Sequence, residues 1–437
     1  MKRVLIITYY WPPSGGAGVQ RWLKFVKFLR HTGYEPVVYT PINPEIPYRD
    51  ETLLSDTTSE TEIIGIKIFE PYQLYNLLTG KKKGAKFQHG FLKDKEETNP
   101  SLLESLAVWI RGNIFIPDAR TFWIKPSIKY LSKYLQEHPV DLIVSSGPPH
   151  SMHMIALGIK KLSGLPWVAD FRDPWTGIYY FDKLMLSGFA RKKHFRLEQK
   201  CLDNADHLIT VGQTMKNDFE KRTSTPISVI TNGFDHVDFE NTEAKEVKKF
   251  TLLYSGMFLP DQNPPELWET LSELVAEDHI FAKHLDLFFI GKTDAVILED
   301  INRNNLTAFL RQKNYVPHAQ LPQLQQEAAI LLLCINRISN ASYILTGKVF
   351  EYIAAQKTIL AFCPLESDVA SIIRETNSGV IVPFGQKAQL KDTLQELFKR
   401  YLNNNLSPKQ KNTSSYSRKS LTKELAKVFD EVLKSKK

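Results

Sequence analysis

The chain has 437 residues, of which 43% are hydrophobic and 24% charged, a soluble composition over too great a length for one ordinary core, so two domains of roughly 200 residues each are expected. Its three cysteines, Cys201, Cys334 and Cys363, are odd in number and far apart, which excludes a disulfide framework or a cysteine-based metal site and predicts a reducing, cytoplasmic compartment. The net charge of +8 gathers in "KKKGAK" (81–86), "RKKHFR" (191–196) and the terminal "KSKK". No helix-turn-helix, zinc-finger or RNP pattern accompanies it, which argues against a nucleic-acid partner. Solvated basic loops and attachment to an anionic membrane, such as the inner face of a plasma membrane, both remain open.

In chain order, "RVLIITYY" (3–10) reads as a first strand rather than a signal peptide, because no small-residue cleavage site follows. "WPPSGGAG" (11–18) is a turn, and Val19, Trp22, Leu23, Val26 and Leu29 give a helix over about 19–32 its apolar stripe. Strands follow at 35–40, 141–146, 166–171, 207–212 and 227–234, while residues 42–100, rich in Pro, Glu, Lys and Thr, read as an irregular insertion. After the polar stretch "NTEAKEVKKF" (241–250) the pattern restarts, with strands at 251–256, 285–291, 329–335, 358–363 and 378–384. The run "AAILLLCI" (328–335) is the densest apolar stretch and suits a buried strand, not a membrane span. A polar spacer (403–415) precedes an amphipathic helix, "SRKSLTKELAKVFDEVL" (417–433). Near-continuous apolar strands between helices indicate parallel sheets covered on both faces. The fold class is therefore α/β, with two Rossmann-like, doubly wound domains facing a central cleft and ligands at the carboxyl ends of the strands.

Four stretches carry chemistry. Gly15 and Gly16 follow the first strand, where a glycine turn lets a ligand approach the backbone, or simply makes a tight turn. A dinucleotide site fails there, because the pattern from Gly16 lacks its third glycine and the second strand ends at Thr40-Pro41 without a carboxylate. His150, just past the strand at 141–146, is placed to hydrogen-bond a sugar or move a proton; His153 falls on the next helix and is the weaker candidate. Asp170, Arg172 and Asp173 crowd three charges into four residues at another strand end, either as an internal pair or as acceptor-binding groups and a base. In "YILTGKVFEYIAA" (343–355), Thr346, Gly347 and Lys348 open a helix that carries Glu351 one turn further on. Positive charge at the positive end of a helix makes sense when an anion sits between them. A diphosphate at Lys348 with a ribose diol on Glu351 satisfies both residues. The alternative is a Lys348–Glu351 surface pair worth a few tenths of a kcal/mol.

These motifs, in this order and spacing, resemble the family-4-type, GT-B-fold glycosyltransferases over most of the chain. "YYWPPSGGAGVQR" resembles the family's glycine loop, and "DFRDPW" a block of a bacterial branch. "ADHLITVG" with "VITNGFD" resembles the strand pair before the interdomain linker, and "LLYSGMF" the first strand of the nucleotide domain. "NYVPHAQLPQLQQEAAILLL" resembles the base-holding segment, and "TGKVFEYIAAQKTILAF" the helix bearing the donor-site glutamate.

The resemblance implies an acceptor-binding domain at 1–243, a nucleotide-sugar domain at 244–412, and a terminal helix at 413–437 packing back on the first. It implies a retaining hexosyltransferase that needs no metal or other cofactor. The donor is a nucleoside-diphosphate sugar, and the acceptor a glycan or lipid-linked hydroxyl in cell-surface polysaccharide synthesis. Donor contacts fall to Gly15, Gly16, Gly256, Val316, Thr346, Gly347 and Glu351, acceptor contacts to Asp170 and Arg172, and catalysis to His150, Asp173 and Lys348. Two family positions differ: the first of a glutamate pair falls at Tyr343, and the basic residues after "SG" are replaced by Met257 and by Gln262 or Asn263. Lys348 is then the cation left for the diphosphate. A nucleotide-sugar epimerase and a non-catalytic nucleotide-sugar binder are the rival readings on the same fold.

Overall fold

The computed structural model describes residues 1–46, 49–69, 102–240, 242 and 247–435. It divides into two compact units, Met1–Thr231 with Arg418–Lys437, and Asn232–Ser417. The limits of these units lie at 231/232 and 417/418, beside the expected domains 1–243, 244–412 and 413–437. The basic run at 81–86 and most of the insertion lie outside the described residues.

The first unit holds a seven-stranded parallel sheet: β1 (Lys2–Ile7), β2 (Tyr34–Tyr39), β3 (Glu62–Ile64), β4 (Leu142–Gly147), β5 (Trp167–Phe171), β6 (His207–Thr210) and β7 (Ile227–Val229). Their spatial order is β3-β2-β1-β4-β5-β6-β7. The order reverses between β1 and β4, so their carboxyl ends open the crevice where such sheets bind ligands. β4 and β5 are buried at every position, as strands with helices on both faces must be.

The helix Ala17–Leu29 covers the sheet with Val19, Trp22, Leu23 and Val26, and the terminal helix Arg418–Lys434 joins the same core through Leu421, Leu425 and Phe429. Phe429 meets Tyr34 edge to face at 5.2 Å. Each such fully buried side chain contributes about 1.5–3 kcal/mol.

The second unit repeats the design with six parallel strands: β8 (Phe250–Ser255), β9 (Leu285–Ile290), β10 (Leu310–Lys313), β11 (Ile330–Cys334), β12 (Thr358–Phe362) and β13 (Gly379–Val382). Their order is β10-β9-β8-β11-β12-β13, with the reversal between β8 and β11. Aromatic packing fills one face, where Tyr254 and Phe258 stack at 3.9 Å and Trp268 and Phe289 close around them.

Two strands were not expected from sequence. β3 lies inside the stretch read as irregular, where a 3-10 turn, Glu51–Asp56, also forms. β10 is an edge strand of sequence LRQK with three exposed residues. β3 has only three residues and β10 is mostly polar, so neither carries the apolar run that marks a central strand.

Candidate active site

At the switch point of the second unit, β8 ends at Ser255 and the chain turns through Gly256, whose φ of 106° only glycine adopts without strain. A side chain there would also stand 2.9 Å from Lys348 Cε. Gly256 therefore lets Lys348 cross the end of β8. The Lys348 ammonium donates to Tyr254 Oη at 2.7 Å and lies 4.1 Å from the centre of that ring. Tyr254 is buried, which raises its pKa well above the usual phenol value and keeps it neutral. Its hydroxyl is 2.8 Å from the Met257 carbonyl and 2.9 Å from Gln262 Oε1. Having accepted from Lys348, it donates its one proton toward these acceptors.

The ammonium is thus placed by a neutral hydroxyl. Burial brings the Lys348 pKa down to about 8, with Cys334 and Glu351 acting in the opposite direction. Lys348 opens the helix Lys348–Ala354, with Gly347 as its cap, and its backbone N–H points at Thr346 Oγ1 at 3.4 Å. Glu351 is half-buried in the first turn of that helix. Gly347 has helical dihedrals and open space around its Cα, so neither backbone conformation nor crowding requires glycine there. Val316 is buried in the core beside Leu331 and Leu333. Gln262 and Asn263, the two positions considered for a missing cation, serve the fold: Gln262 also accepts from Leu259 N–H, and Asn263 accepts from Trp268 Nε1 and donates to Asp300.

Sequence reasoning missed Arg337. Its guanidinium donates to Glu266 Oε2 at 2.7 Å, Glu266 Oε1 accepts from Gly385 N–H at 2.9 Å, and Arg337 N–H donates to the Asp261 carbonyl at 2.6 Å. One buried carboxylate and one arginine thereby tie together the loops that follow β8, β11 and β13.

At the switch point of the first unit, Gly16 turns the glycine loop with φ 99° and faces open space; Gly15 precedes it in the same turn. The positions after β4 are tightly built. His150 caps the helix Ser151–Ser163 and stacks on Trp175 with ring centres 4.6 Å apart and planes 3° apart. It is 7% exposed, and its buried Nδ1 has no hydrogen-bond partner among the described residues. Burial, then the neighbouring His153, holds its pKa well below the usual imidazole value, so His150 is neutral. His153 is buried deeper, 2.8 Å from Ser145 Oγ, with its pKa brought down to about 3 by burial.

The charged cluster differs from the expectation. Asp170 is fully buried and its partner is Arg21, not Arg172: Arg21 donates through Nε and Nη2, joined by Trp22 Nε1 at 2.7 Å and Ser146 Oγ at 2.7 Å. Burial raises its pKa, but Arg21 and the hydrogen bonds outweigh that and hold it below the usual carboxylate range. Arg172 donates to the carbonyls of Gly18 at 2.7 Å, Gly147 at 3.3 Å and Pro148. Asp170 and Arg172, expected at an acceptor, therefore hold strand ends and loops in place. Asp173 is exposed. Glu198, which the sequence did not single out, accepts from Trp175 N–H, Thr176 N–H, Thr176 Oγ1 and Arg222, and so fixes the loop that carries Asp173.

Residues 92–237 match the Glycosyltransferase Family 4 model. No curated protein sequence matches the chain. Among solved structures, sucrose-phosphate synthase from Thermosynechococcus elongatus aligns over 100% of both chains at 10% identity with a TM-score of 0.66. HepE of Anabaena, solved with UDP and glucose, aligns over 98% of this chain and 100% of its own at 12% identity and a TM-score of 0.63. WaaG, a glycosyltransferase involved in lipopolysaccharide biosynthesis, aligns over 97% and 99% at 16% identity and a TM-score of 0.56. Likeness at these identities carries the fold alone. The chain thus carries a Glycosyltransferase Family 4 segment at 92–237 and has the GT-B fold of these enzymes over its length.

Proposed function

We propose that this protein is a glycosyltransferase that moves a sugar from a nucleoside-diphosphate sugar to a hydroxyl of a glycan or lipid-linked acceptor in cell-surface polysaccharide synthesis, with retention of configuration and without a metal. The observation that carries the reading is the Lys348 ammonium, set at the carboxyl end of β8 against a neutral tyrosine hydroxyl. When the bond from the anomeric carbon to the diphosphate breaks, negative charge grows on the leaving oxygen. A fixed ammonium in a dry site lowers that barrier more than it lowers the ground state. Glu351, one turn along the same helix, takes the ribose diol, with Thr346 and Gly347 beside the phosphates and the backbone around Val316 beside the base.

In the first unit, His150 is neutral and can exchange hydrogen bonds with a sugar hydroxyl, and Asp173 is an exposed carboxylate suited to accept the acceptor's proton. Glu198 tethers the loop of Asp173, and Arg172 donates to the Gly147 and Pro148 carbonyls just before His150, which supports a positioned pair rather than a mobile one. HepE binding UDP and glucose, and the lipopolysaccharide role of WaaG, support this donor and acceptor class.

The test is transfer from a panel of nucleotide sugars to glycan and lipid-linked acceptors, with the product linkage read by NMR. An anomeric configuration equal to the donor's, formed undiminished in the presence of a chelator, is the expected result. Inversion, or loss of transfer on chelation, contradicts it.

A further inference from the structure

One face of the first unit is used neither by the core nor by the transfer chemistry. The helix Gly188–Asn204 buries Ala190, His194, Glu198, Cys201 and Leu202. That spacing turns the opposite stripe to solvent. The stripe carries Phe189, Lys192, Lys193 and Arg196, all exposed. Phe189 is 77% exposed, a large ring left in water at the first turn of a helix. Its neighbours extend the same surface. Met185, just before the helix, is 54% exposed, and Trp109, on the helix Leu102–Asn113, is 42% exposed. Asn113 joins the two segments: its amide donates to the Met185 carbonyl at 3.2 Å, and its side-chain oxygen accepts from Ser187 N–H at 2.7 Å.

Most charges on this face have no ion pair among the described residues. Arg191 pairs with Asp182, but Lys192, Lys193 and Arg196 have no ion pair among the described residues. Aromatic and thioether side chains flanked by uncompensated cations fit a lipid interface, where rings enter the acyl boundary and cations meet phosphate headgroups. Among the described residues no helix is long and apolar enough to cross a membrane, so docking of this kind is peripheral.

We propose that this face seats the protein on an anionic bilayer, with Phe189 inserted and Lys192, Lys193 and Arg196 on the headgroups. The proposal is independent of the transfer reading, because vesicle binding requires no turnover.

The experiment is flotation of the full chain with phosphatidylcholine vesicles, with or without phosphatidylglycerol, combined with a polarity-sensitive fluorophore on Phe189→Cys. The native cysteines are all buried, so labelling is selective. A second label at Leu402→Cys, exposed in the other unit, serves as a control. The protein should float only with the anionic vesicles, and the label at 189, but not that at 402, should shift to the blue. Replacing Lys192, Lys193 and Arg196 together by alanine should weaken partitioning about a hundredfold, roughly fivefold per cation. Their exposure leaves the melting temperature unchanged. Absence of flotation, equal binding by the triple variant, or flotation without a shift at 189 overturns the proposal, the last by placing the contact elsewhere.

Discussion

Replacing Lys348 by methionine removes a charge while keeping the reach of the side chain across Gly256. A hydrogen bond to a charged group is worth about 1.5–3 kcal/mol. Lys348→Met should therefore weaken the nucleoside diphosphate by roughly 10- to 150-fold while leaving the bare nucleoside nearly unchanged. Turnover should fall further, because charge on the leaving diphosphate grows in the transition state.

Stability should move the other way. Burial lowers the Lys348 pKa from 10.5 to about 8, so between those values the unfolded chain binds more protons than the folded one, and stability rises with pH across that window. Below about pH 8 the fold carries the ammonium at a cost, and the methionine variant should melt no lower than the wild type. Isothermal titration with the diphosphate and the nucleoside, beside a thermal melt, reads both effects. Equal losses for the two ligands, or a marked drop in melting temperature, refute the argument.

Three further outcomes follow. The pH profile of kcat/KM should fall as pH rises through about 8, where Lys348 loses its proton, and the alkaline limb should move upward in Lys348→Arg; an unmoved limb assigns the titration to another group. Gly256→Ala should destabilise by about 1–2 kcal/mol from its positive φ alone, whereas Gly347→Ala, at helical dihedrals in open space, should stabilise by about 0.4–1 kcal/mol; denaturant melts that rank them the other way contradict the geometry. Asp170→Ala should cost about 3–5 kcal/mol by stranding the buried Arg21. Because the folded Asp170 pKa is lowered, its stabilising share is present above its unfolded value and disappears as pH falls through the folded one; an acid melt of wild type against this variant should converge at low pH.

The central strands were legible because both of their faces are buried. β4 and β11 read as unbroken apolar runs, and their ends fall within a residue or two of the expected ones. β3 and β10 were not, since a three-residue EII and a polar LRQK are too short or too polar to read as an apolar run. The site divides in the same way. Lys348 and Glu351 were visible as a local pattern on one helix. Their setting was not, because Tyr254 lies 94 residues from Lys348 and Arg21 lies 149 from Asp170. A cluster such as Asp170, Arg172 and Asp173 marks a strand end that needs partners, but local spacing does not say which. Arg337 and Glu198 gave no signal beyond a charged residue in a loop and a carboxylate on the buried side of a helix.

The donor site is the centre of the account, and Glu351→Ala tests it most directly. Thermal unfolding of wild type and variant is followed against a panel of nucleoside diphosphates. A ligand that binds only the folded state, at about 100 times its dissociation constant, adds roughly 2.7 kcal/mol. The account predicts that one nucleotide stabilises the wild type by about this amount and leaves the variant nearly unmoved. Equal stabilisation of both proteins contradicts a ribose contact at Glu351, and stabilisation of neither by any nucleotide contradicts the donor site itself.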